Sequence, residues 1–269
     1  MSDEEKQAPL EADTVTECPR LGPIAVALGA VRLVSVLLVV ALGTVFVLLV
    51  GWVRVRGVRL GGWIVMGMAH VTWAIFGVRI RCDEVGRLRS HRGFLFPNHR
   101  SYADIAVLLH LFPVRFLSQH KVERMPFIGW LAKAVGTVFV NRESKASRAE
   151  ARRELAETMA ARSHPPLVLF PEGGINRAPG LQPLRRGAFE VAAEGSVPYL
   201  LAAIRYSDEA AVRWHEGEPL MQAVWRLARH RGTITADVAI LETVHPTSTD
   251  EADALVAHAK SVLERALLA

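Results

Sequence analysis

Hydrophobic residues are distributed unevenly along the chain. From Leu33 to Val53, 21 residues follow one another without a charge, and a helix needs about 20 apolar residues to cross the hydrocarbon core of a bilayer. This stretch therefore predicts a transmembrane or deeply inserted helix. A second apolar stretch, from Gly61 to Val78, is shorter and carries Trp63 and Trp73. Aromatic residues at those positions are typical of a helix that lies in the membrane interface.

Other interpretations of the two stretches lead to different topologies. A secretory signal peptide is disfavoured, because the preceding residues are acidic and no clear small-residue cleavage site follows. One or both stretches could instead be buried helices of a soluble domain. Arg54, Arg56 and Arg59 lie between them, and the positive-inside rule places this linker in the cytoplasm. A single span then leaves the rest of the chain cytoplasmic, two spans place it outside, and two helices inserted from one leaflet make a monotopic protein.

Beyond Arg81, short β-rich runs alternate with helix-like stretches, which is the pattern of an α/β domain. We predict one such domain over 81–269, with a mixed or mostly parallel sheet flanked by helices. It follows an acidic flexible leader over 1–20 and membrane-anchoring helices over 21–80. The predicted strands are 93–97, 114–118, 137–141, 167–170, 199–206 and 233–241, and the predicted helices are 101–111, 127–135, 147–162, 186–194, 219–229 and 249–268.

Composition and charge exclude several classes of protein. With 51% hydrophobic and 22% charged residues, the chain is not wholly disordered. The formal net charge is +5, and residues 1–20 carry six acidic and two basic groups, so the remainder carries +5 − (−4) = +9. A basic body beside an apolar anchor suits an anionic lipid surface or a phosphorylated substrate. No nucleic-acid motif is present, and we expect no nucleic-acid partner.

The cysteines indicate neither a metal site nor a disulfide framework. Cys18 and Cys82 are the two cysteines of the chain, and their spacing fits neither arrangement. This usage favours a reducing, cytoplasmic location for the body of the protein. Because no cluster of ligating residues stands out, we expect no metal ion.

The first polar cluster, from Asn98 to Asp104, directly follows the apolar run that ends at Pro97. A strand that breaks into a polar turn and then a helix displays its side chains at the sheet edge where α/β enzymes bind ligands. His99 and Asp104 can meet if the helix begins near Ser101. Asp104 would then orient the imidazole, leaving the other ring nitrogen to deprotonate an alcohol. The alternative is a surface histidine, with Ser101 capping the helix and Asp104 in its first turn.

A second cluster, from Phe170 to Arg177, is again an apolar run that ends in a glycine-containing turn. Gly173 and Gly174 would let backbone N–H groups approach an anion, and Arg177 adds positive charge. Other basic residues stand just past an apolar run or just ahead of a helix, and they can converge on one phosphate if the sheet is parallel. Each can equally be a surface charge. These residues are Lys121, Arg142 and Arg186.

Together these residues resemble the glycerolipid acyltransferase family typified by 1-acylglycerol-3-phosphate O-acyltransferase. The family signature is Asn-His, four residues and Asp, and it stands intact from Asn98 to Asp104. The resemblance extends from about residue 80 to 245. Further segments similar to family motifs are Lys121 to Trp130, Gly136 to Arg142, Phe170 to Gly173, Leu184 to Phe189 and Val197-Pro198.

The resemblance implies a membrane-bound enzyme of phospholipid biosynthesis. The reaction would move a fatty acyl group from acyl-CoA or acyl carrier protein to the sn-2 hydroxyl of 1-acylglycerol 3-phosphate, forming phosphatidic acid. No bound cofactor is implied, since the thioester is a co-substrate. His99 would be the general base, oriented by Asp104. The residues expected to contact substrate are Asn98, Arg100, Ser101, Lys121, Arg142, Glu172, Gly173, Gly174, Arg177 and Arg186.

The chain departs from the family pattern at two motifs, and the second departure is Leu201, which stands where the fourth motif often has a second proline. Residues 174–176 are Gly-Ile-Asn where the family has Thr-Arg-Ser, and Arg177 or Arg186 is a candidate to replace the missing arginine. Other acceptors therefore remain open, namely a lyso-ornithine lipid, another lysophospholipid or glycerol 3-phosphate. An alternative of a different class is a catalytically silent, membrane-anchored lipid-binding protein.

Overall fold

The structure is a computed structural model that describes residues 22–141, 145–177 and 180–268. Its N-terminal part is a pair of helices joined by a small hairpin. Helix α1 is Pro23–Val50, strands β1 (Arg54–Val55) and β2 (Val58–Arg59) form the hairpin, and α2 is Leu60–Phe76. The predicted leader over 1–20 lies outside the described residues. Helix α1 begins before the predicted Leu33, with a proline in its first turn. Arg32 lies within this helix, and its guanidinium donates to the carbonyls of Ala228 and His230, at 3.1 and 2.7 Å.

The two helices differ in burial. Among the described residues, α1 is the one helix long and apolar enough to cross a membrane, and only 17% of its apolar window is buried. Helix α2 instead buries a full face, with Val65, Met68, Trp73 and Phe76 in the same core as the sheet. The interpretation as a buried core helix is thus correct for α2, whereas α1 presents a long apolar face to its surroundings.

The remaining elements follow the predicted alternation of strands and helices. The long elements lie within a few residues of the predictions, whereas β3 and the short helices α3, α5 and α9 were not predicted. In chain order they are β3 (Val78–Arg81), α3 (Val85–Ser90), β4 (Phe94–Pro97), α4 (Ala103–Leu111), β5 (Arg115–Gln119), α5 (His120–Glu123), α6 (Ile128–Val135), β6 (Val138–Val140), α7 (Lys145–Ala161), β7 (Leu167–Val168), α8 (Arg186–Glu194), β8 (Tyr199–Tyr206), α9 (Glu209–Val212), α10 (Leu220–Ala228), β9 (Ile234–Val244) and α11 (Ala252–Leu268).

The strands from β3 onward form one seven-stranded sheet in the order β3-β9-β8-β4-β7-β5-β6. All neighbours are parallel except β8 and β9, which pair antiparallel. The predicted mixed, mostly parallel sheet is therefore confirmed. Strand β3 pairs with the start of β9, Val78 opposite Ile234, so the first strand straddles the predicted domain boundary at residue 80.

Strand β4 is buried on both of its faces. Leu95 packs in the core shared with α2 and α4, while Phe94 and Phe96 pack with Phe189 and Tyr199 in the core on the other side of the sheet. Each fully buried side chain of this size contributes about 1.5–3 kcal/mol. The end of β4 at Pro97 is therefore held firmly, and the residues that follow it begin from a rigid support.

Candidate active site

The candidate site lies at the edge of the sheet where the parallel strands β4, β7 and β8 end. The first residue beyond β4, Asn98, is 1% exposed. Its side chain donates to the carbonyl of Ile204 at 3.0 Å and accepts from the N–H of Ile204 at 2.7 Å. Asn98 was predicted to contact substrate, and the structure places its amide against β8. It thereby continues the pairing of β4 with β8 and sets the position of the next residue, His99.

His99 and Asp104 meet as predicted by their spacing. The Nδ1 atom of His99 lies 2.9 Å from Oδ2 of Asp104, and the two residues are 7% and 0% exposed. Because a carboxylate only accepts, Nδ1 carries the proton and Nε2 keeps its lone pair. The same Oδ2 accepts from the N–H groups of Arg100 and Ser101, at 2.6 and 2.9 Å. Asp104 therefore orients the histidine and also shapes the turn into α4.

A tyrosine that the sequence analysis did not select completes the carboxylate's partners. The hydroxyl of Tyr206, at the end of β8, donates to Oδ1 of Asp104 at 2.6 Å. Burial raises the pKa of Tyr206 well above its ordinary value, and the charge of Asp104 raises it further. The phenol therefore remains a donor. Its position at the end of a predicted strand at this edge was the available signal, but no motif singled it out.

The turn after Phe170 holds His99 from the other side. The Phe170 ring stacks on the imidazole with centroids 3.7 Å apart and planes 13° from parallel. Oε1 of Glu172 accepts from the His99 N–H at 2.7 Å, and the N–H of Asn176 donates to the His99 carbonyl at 2.7 Å. Both backbone groups of His99 are thus bound by one loop.

Glu172 was predicted to bind substrate, and the structure places it 2% exposed with both carboxylate oxygens on backbone groups. Oε2 accepts from the N–H of Gln182 at 3.0 Å. Burial raises the pKa of the Glu172 carboxyl, while the two backbone hydrogen bonds lower it by less. In this structure the side chain positions His99 and the 172–182 loop.

Arg177 lines a polar cleft beside the loop that holds the backbone of His99. The cleft, of about 480 Å³, is lined by Ile175, Arg177, Gln182, His215 and Glu216. The Arg177 guanidinium carbon lies 5.1 Å from the centre of the Trp214 ring, a cation–π contact. Trp214 in turn contacts the Tyr102 ring, with centroids 3.8 Å apart. The sequence analysis missed Trp214, because it lies in an irregular segment without a motif.

Gly173 and Gly174 differ in whether their positions could accept a larger residue. Gly173 has φ +82°, and a Cβ there would lie 3.0 Å from Cγ of Arg185, so a glycine suits both its conformation and its surroundings. Gly174 is open, with nothing near the place of a Cβ. Asn176 is fully buried, and its Nδ2 donates to the carbonyl of Gly180 at 2.6 Å.

The structure assigns local roles to two other predicted residues. Arg100 is 9% exposed, and its Nε lies 3.4 Å from Oε1 of Glu209. Ser101 is buried, and its hydroxyl accepts from the N–H of Ala103 at 3.2 Å. Asp104 lies in the first turn of α4, but Tyr102 and not Ser101 is the N-cap residue, and it makes no side-chain cap hydrogen bond. The alternative of a surface histidine is wrong, because His99 is buried.

The predicted basic residues do not all converge on the site. Arg186 forms ion pairs at 2.9 Å with Glu190 within α8 and with Asp253, and the second pair joins α8 to α11. Lys121 is exposed on α5, just beyond β5. Arg142 lies outside the described residues. Within the described ranges, no group of three or more His, Cys, Asp or Glu side chains could hold a metal ion.

Comparisons with known proteins agree with the motifs. Residues 79–205 match the family described as Acyltransferase. A 1-acyl-sn-glycerol-3-phosphate acyltransferase of Neisseria gonorrhoeae is 29% identical over 116 residues, which are 43% of this chain and 45% of that protein. A lyso-ornithine lipid O-acyltransferase of Pseudomonas aeruginosa is 30% identical over 161 residues, 58% of this chain and 60% of that protein. The matches thus span about half the length of these relatives.

A solved structure shares the fold. The crystal structure of the 1-acyl-sn-glycerophosphate acyltransferase PlsC from Thermotoga maritima superposes with a TM-score of 0.61 over 87% of this chain and 95% of that chain. The two sequences are 17% identical, so the likeness concerns the arrangement of helices and strands. The helices α1 and α2 and the sheet therefore form an architecture that a crystallised protein also has.

Proposed function

We propose that this chain, which carries an acyltransferase domain over residues 79–205, moves a fatty acyl group from a thioester to a hydroxyl of a lysolipid. The observation that carries the proposal is the buried contact of 2.9 Å between Nδ1 of His99 and Oδ2 of Asp104. It leaves Nε2 of His99 able to take a proton at the end of β4. The thioester donor is acyl-CoA or acyl carrier protein.

The reaction needs one base and no covalent enzyme intermediate. Nε2 of His99 removes the proton of the acceptor hydroxyl as its oxygen bonds to the thioester carbonyl carbon. The carbon–sulfur bond then breaks, and the thiolate takes the proton back from the imidazolium. Asp104 stabilises that imidazolium, and Tyr206 holds Asp104 in place at 2.6 Å. A thioester is already activated, and the chain has no Gly-x-Ser-x-Gly elbow that would supply a nucleophile.

The acceptor that the motifs favour is 1-acylglycerol 3-phosphate, with phosphatidic acid as product. The cleft beside the loop that holds His99 supports a charged head group, because Arg177 and His215 line it. Arg142 would contribute a further cation from its motif. Lys121, Gly173 and Gly174 would lie along the path of the donor or acceptor phosphates.

A lyso-ornithine lipid is a second candidate acceptor, and the cleft offers a specific reason. Ile175 stands where the family motif has its arginine, and Glu216 lines the same cleft as Arg177. One cation and one anion suit a head group that carries both a carboxylate and an ammonium group better than they suit a phosphate monoester. The relative from Pseudomonas aeruginosa is named for that acceptor.

The way α1 packs supports a monotopic attachment, and the positive-inside rule applied to Arg54, Arg56 and Arg59 supports a catalytic domain that faces the cytoplasm. The body contacts α1 along its length. Near the helix start Arg32 binds the carbonyls of Ala228 and His230, in the middle Gly43 lies against Met68, and at the end the Gly51 carbonyl accepts from the N–H of Gly61 at 3.0 Å. One face of α1 is thus on the protein, and its other face is free to enter lipid.

A second apolar surface supports the same monotopic attachment. Met125, Phe127, Ile128 and Trp130 are each between 41% and 48% exposed, in and just before helix α6. Helix α6 packs against α1 and α2, so these side chains extend the lipid-facing surface of α1. The active-site edge would then lie beside the bilayer that supplies the acceptor and receives the product.

The test is an acyl-transfer assay with purified protein in detergent. Acyl-CoA and acyl carrier protein are each offered with 1-acylglycerol 3-phosphate, lyso-ornithine lipid, lysophosphatidylethanolamine or glycerol 3-phosphate, and thiol release and product mass are followed. We expect one lysolipid to be acylated by the wild type and by the matched surface variant His120→Ala, and not by His99→Ala. Thiol release from no combination would overturn the proposal and favour a silent lipid-binding protein.

A further inference from the structure

A groove lies at the edge of the sheet opposite to the active site. It has a volume of about 430 Å³, within the range of small-ligand sites. Arg89 precedes β4 and Phe112 precedes β5, so the groove is at the amino ends of these strands, whereas His99 follows the carboxyl end of β4. Val58, Trp63, Met66 and Phe112 form its apolar walls, and Arg56 and Arg89 add positive charge.

Further arginines lie near the groove. Arg54, Arg59 and Arg162 accompany Arg56 and Arg89; burial lowers the pKa of Arg162, and the charges of Arg54 and Arg59 lower it further. Among the described residues, none of these five guanidiniums forms an ion pair with a carboxylate. Like charges that are gathered without counter-charges favour the binding of an anion.

The lining combines apolar walls with two arginine side chains, which suits an amphiphilic anion better than a free one. Arg56 has φ +53° in a two-residue turn with Gly57 at φ +80°, positions at which asparagine and glycine are favoured. An arginine in this strained conformation indicates a role for its side chain.

The position of the groove fits the surface of a membrane. The hairpin that carries Arg56 directly follows the apolar helix α1, and Trp52 between them is 76% exposed. Exposed tryptophan and arginine next to an apolar helix are typical of the level of lipid head groups. A phosphate and a glycerol backbone with its chains would therefore reach the groove from the bilayer in which α1 lies.

We propose that this groove is a binding site for an anionic phospholipid, separate from the active site. Arg56 and Arg89 bind the phosphate, and the apolar walls hold the start of an acyl chain. The site goes beyond the proposed acyl transfer, since its occupant is bound as an intact lipid and is not converted. It would hold the hairpin end of α1 against the anionic surface of the membrane.

The experiment is native mass spectrometry of the full chain in detergent, in a His99→Ala background so that no acyl transfer can consume or form lipid. Phosphatidylglycerol, phosphatidylcholine of the same chains, and inorganic phosphate are titrated separately. We expect one phosphatidylglycerol to stay bound, with phosphatidylcholine and free phosphate at least tenfold weaker. Since each arginine near an anionic lipid surface is worth about 1 kcal/mol, Arg56→Gln with Arg89→Gln should weaken phosphatidylglycerol binding by roughly tenfold to thirtyfold.

Matched variants distinguish binding in this groove from a general attraction of the lipid to positive charge. Arg79→Gln with Arg153→Gln removes two exposed arginines elsewhere on the protein and should change the affinity less than twofold. Equal affinity for phosphatidylglycerol and phosphatidylcholine, equal affinity for free phosphate, or equal losses in the two double variants would each overturn the proposal. Because binding is measured by mass without turnover, these results are independent of whether the wild-type protein proves to be an acyltransferase.

Discussion

The phenol oxygen of Tyr206 lies 2.6 Å from Oδ1 of Asp104, while Oδ2 of the same carboxylate meets Nδ1 of His99 at 2.9 Å. Tyr206 and Asp104 are 102 positions apart in the chain. Strand β8 and the turn after β4 are therefore joined through one buried carboxylate. The orientation of His99 depends on the register between β4 and β8 as well as on the turn that contains it.

Replacing Tyr206 with phenylalanine removes one oxygen and leaves the ring. We expect the free energy of unfolding to fall by about 1.5–3 kcal/mol, the contribution of a hydrogen bond to a charged group. The value of kcat should fall as well, because Asp104 is less firmly held. Urea unfolding in detergent and steady-state assays measure the two effects, with Tyr102→Phe as the matched control. Unchanged unfolding and unchanged kcat would show that the contact has no energetic role.

His99→Ala and Asp104→Asn test the proposed base and its orienting residue. Loss of a general base lowers the rate by roughly 10² to 10⁴, and we expect kcat of each variant to fall within that range. Membrane attachment and the far-ultraviolet circular dichroism should stay as in the wild type, since neither side chain lies on α1. Full activity of His99→Ala would contradict the mechanism.

Glu172→Gln tests the loop that holds His99. Its carboxylate accepts from two backbone N–H groups, and a carboxamide can serve only one of them through its oxygen. The unserved N–H should lower the free energy of unfolding at neutral pH by about 1–3 kcal/mol. Glu154→Gln, on the exposed face of α7, is the control.

The same variant should also change how the free energy of unfolding depends on pH. Burial raises the pKa of Glu172 above the ordinary value of 4.5, so the folded protein keeps this proton to a higher pH than the unfolded chain does. The contribution of Glu172 to stability therefore decreases as the pH rises from 4.5 through the raised pKa. Between pH 4.5 and the raised pKa, the free energy of unfolding should fall with pH less steeply in Glu172→Gln than in the wild type. A steeper fall in the variant would contradict the raised pKa of Glu172.

Arg177→Ala tests the cleft beside the loop that holds His99. The side chain lines the cleft and stacks on Trp214, so its loss should raise the acceptor KM by roughly tenfold, equivalent to about 1.4 kcal/mol. The KM for the acyl donor should change little. Arg153→Ala, on the exposed face of α7, provides a control for loss of one positive charge. Equal increases in the two KM values would mean that Arg177 does not select the acceptor.

Arg142→Ala tests the phosphate contact that the family motif implies. If the acceptor is a phosphate monoester, its KM should rise much more than the KM of the acyl donor, because one charge-assisted contact is lost. Comparing 1-acylglycerol 3-phosphate with lyso-ornithine lipid in this variant then separates the two candidate acceptors. An unchanged acceptor KM for both would remove Arg142 from head-group binding.

The local features of the site could be predicted from the sequence because neighbouring residues build them. His99 and Asp104 are five residues apart across a strand, turn and helix, and this spacing alone allows their side chains to meet. Helix α8 and strand β8 were predicted with the ends that the structure has. By contrast, the two strands of the hairpin are too short for a periodic pattern to be recognised. Strand β3 was missed because it begins at Val78, the last residue of the apolar stretch that was interpreted as a second membrane helix.

The pattern of residues along the chain was enough to indicate an apolar anchor, an α/β sheet and a histidine paired with an aspartate, because each depends on composition or on contacts between near neighbours. The folded arrangement was needed to find Tyr206 on Asp104, Glu172 on the backbone of His99, and Arg186 in an ion pair with Asp253 of α11. These contacts join segments far apart in sequence, so they depend on strand order and register. A side chain's identity and position in the sequence specify what it can bind, and packing selects which partner comes within reach.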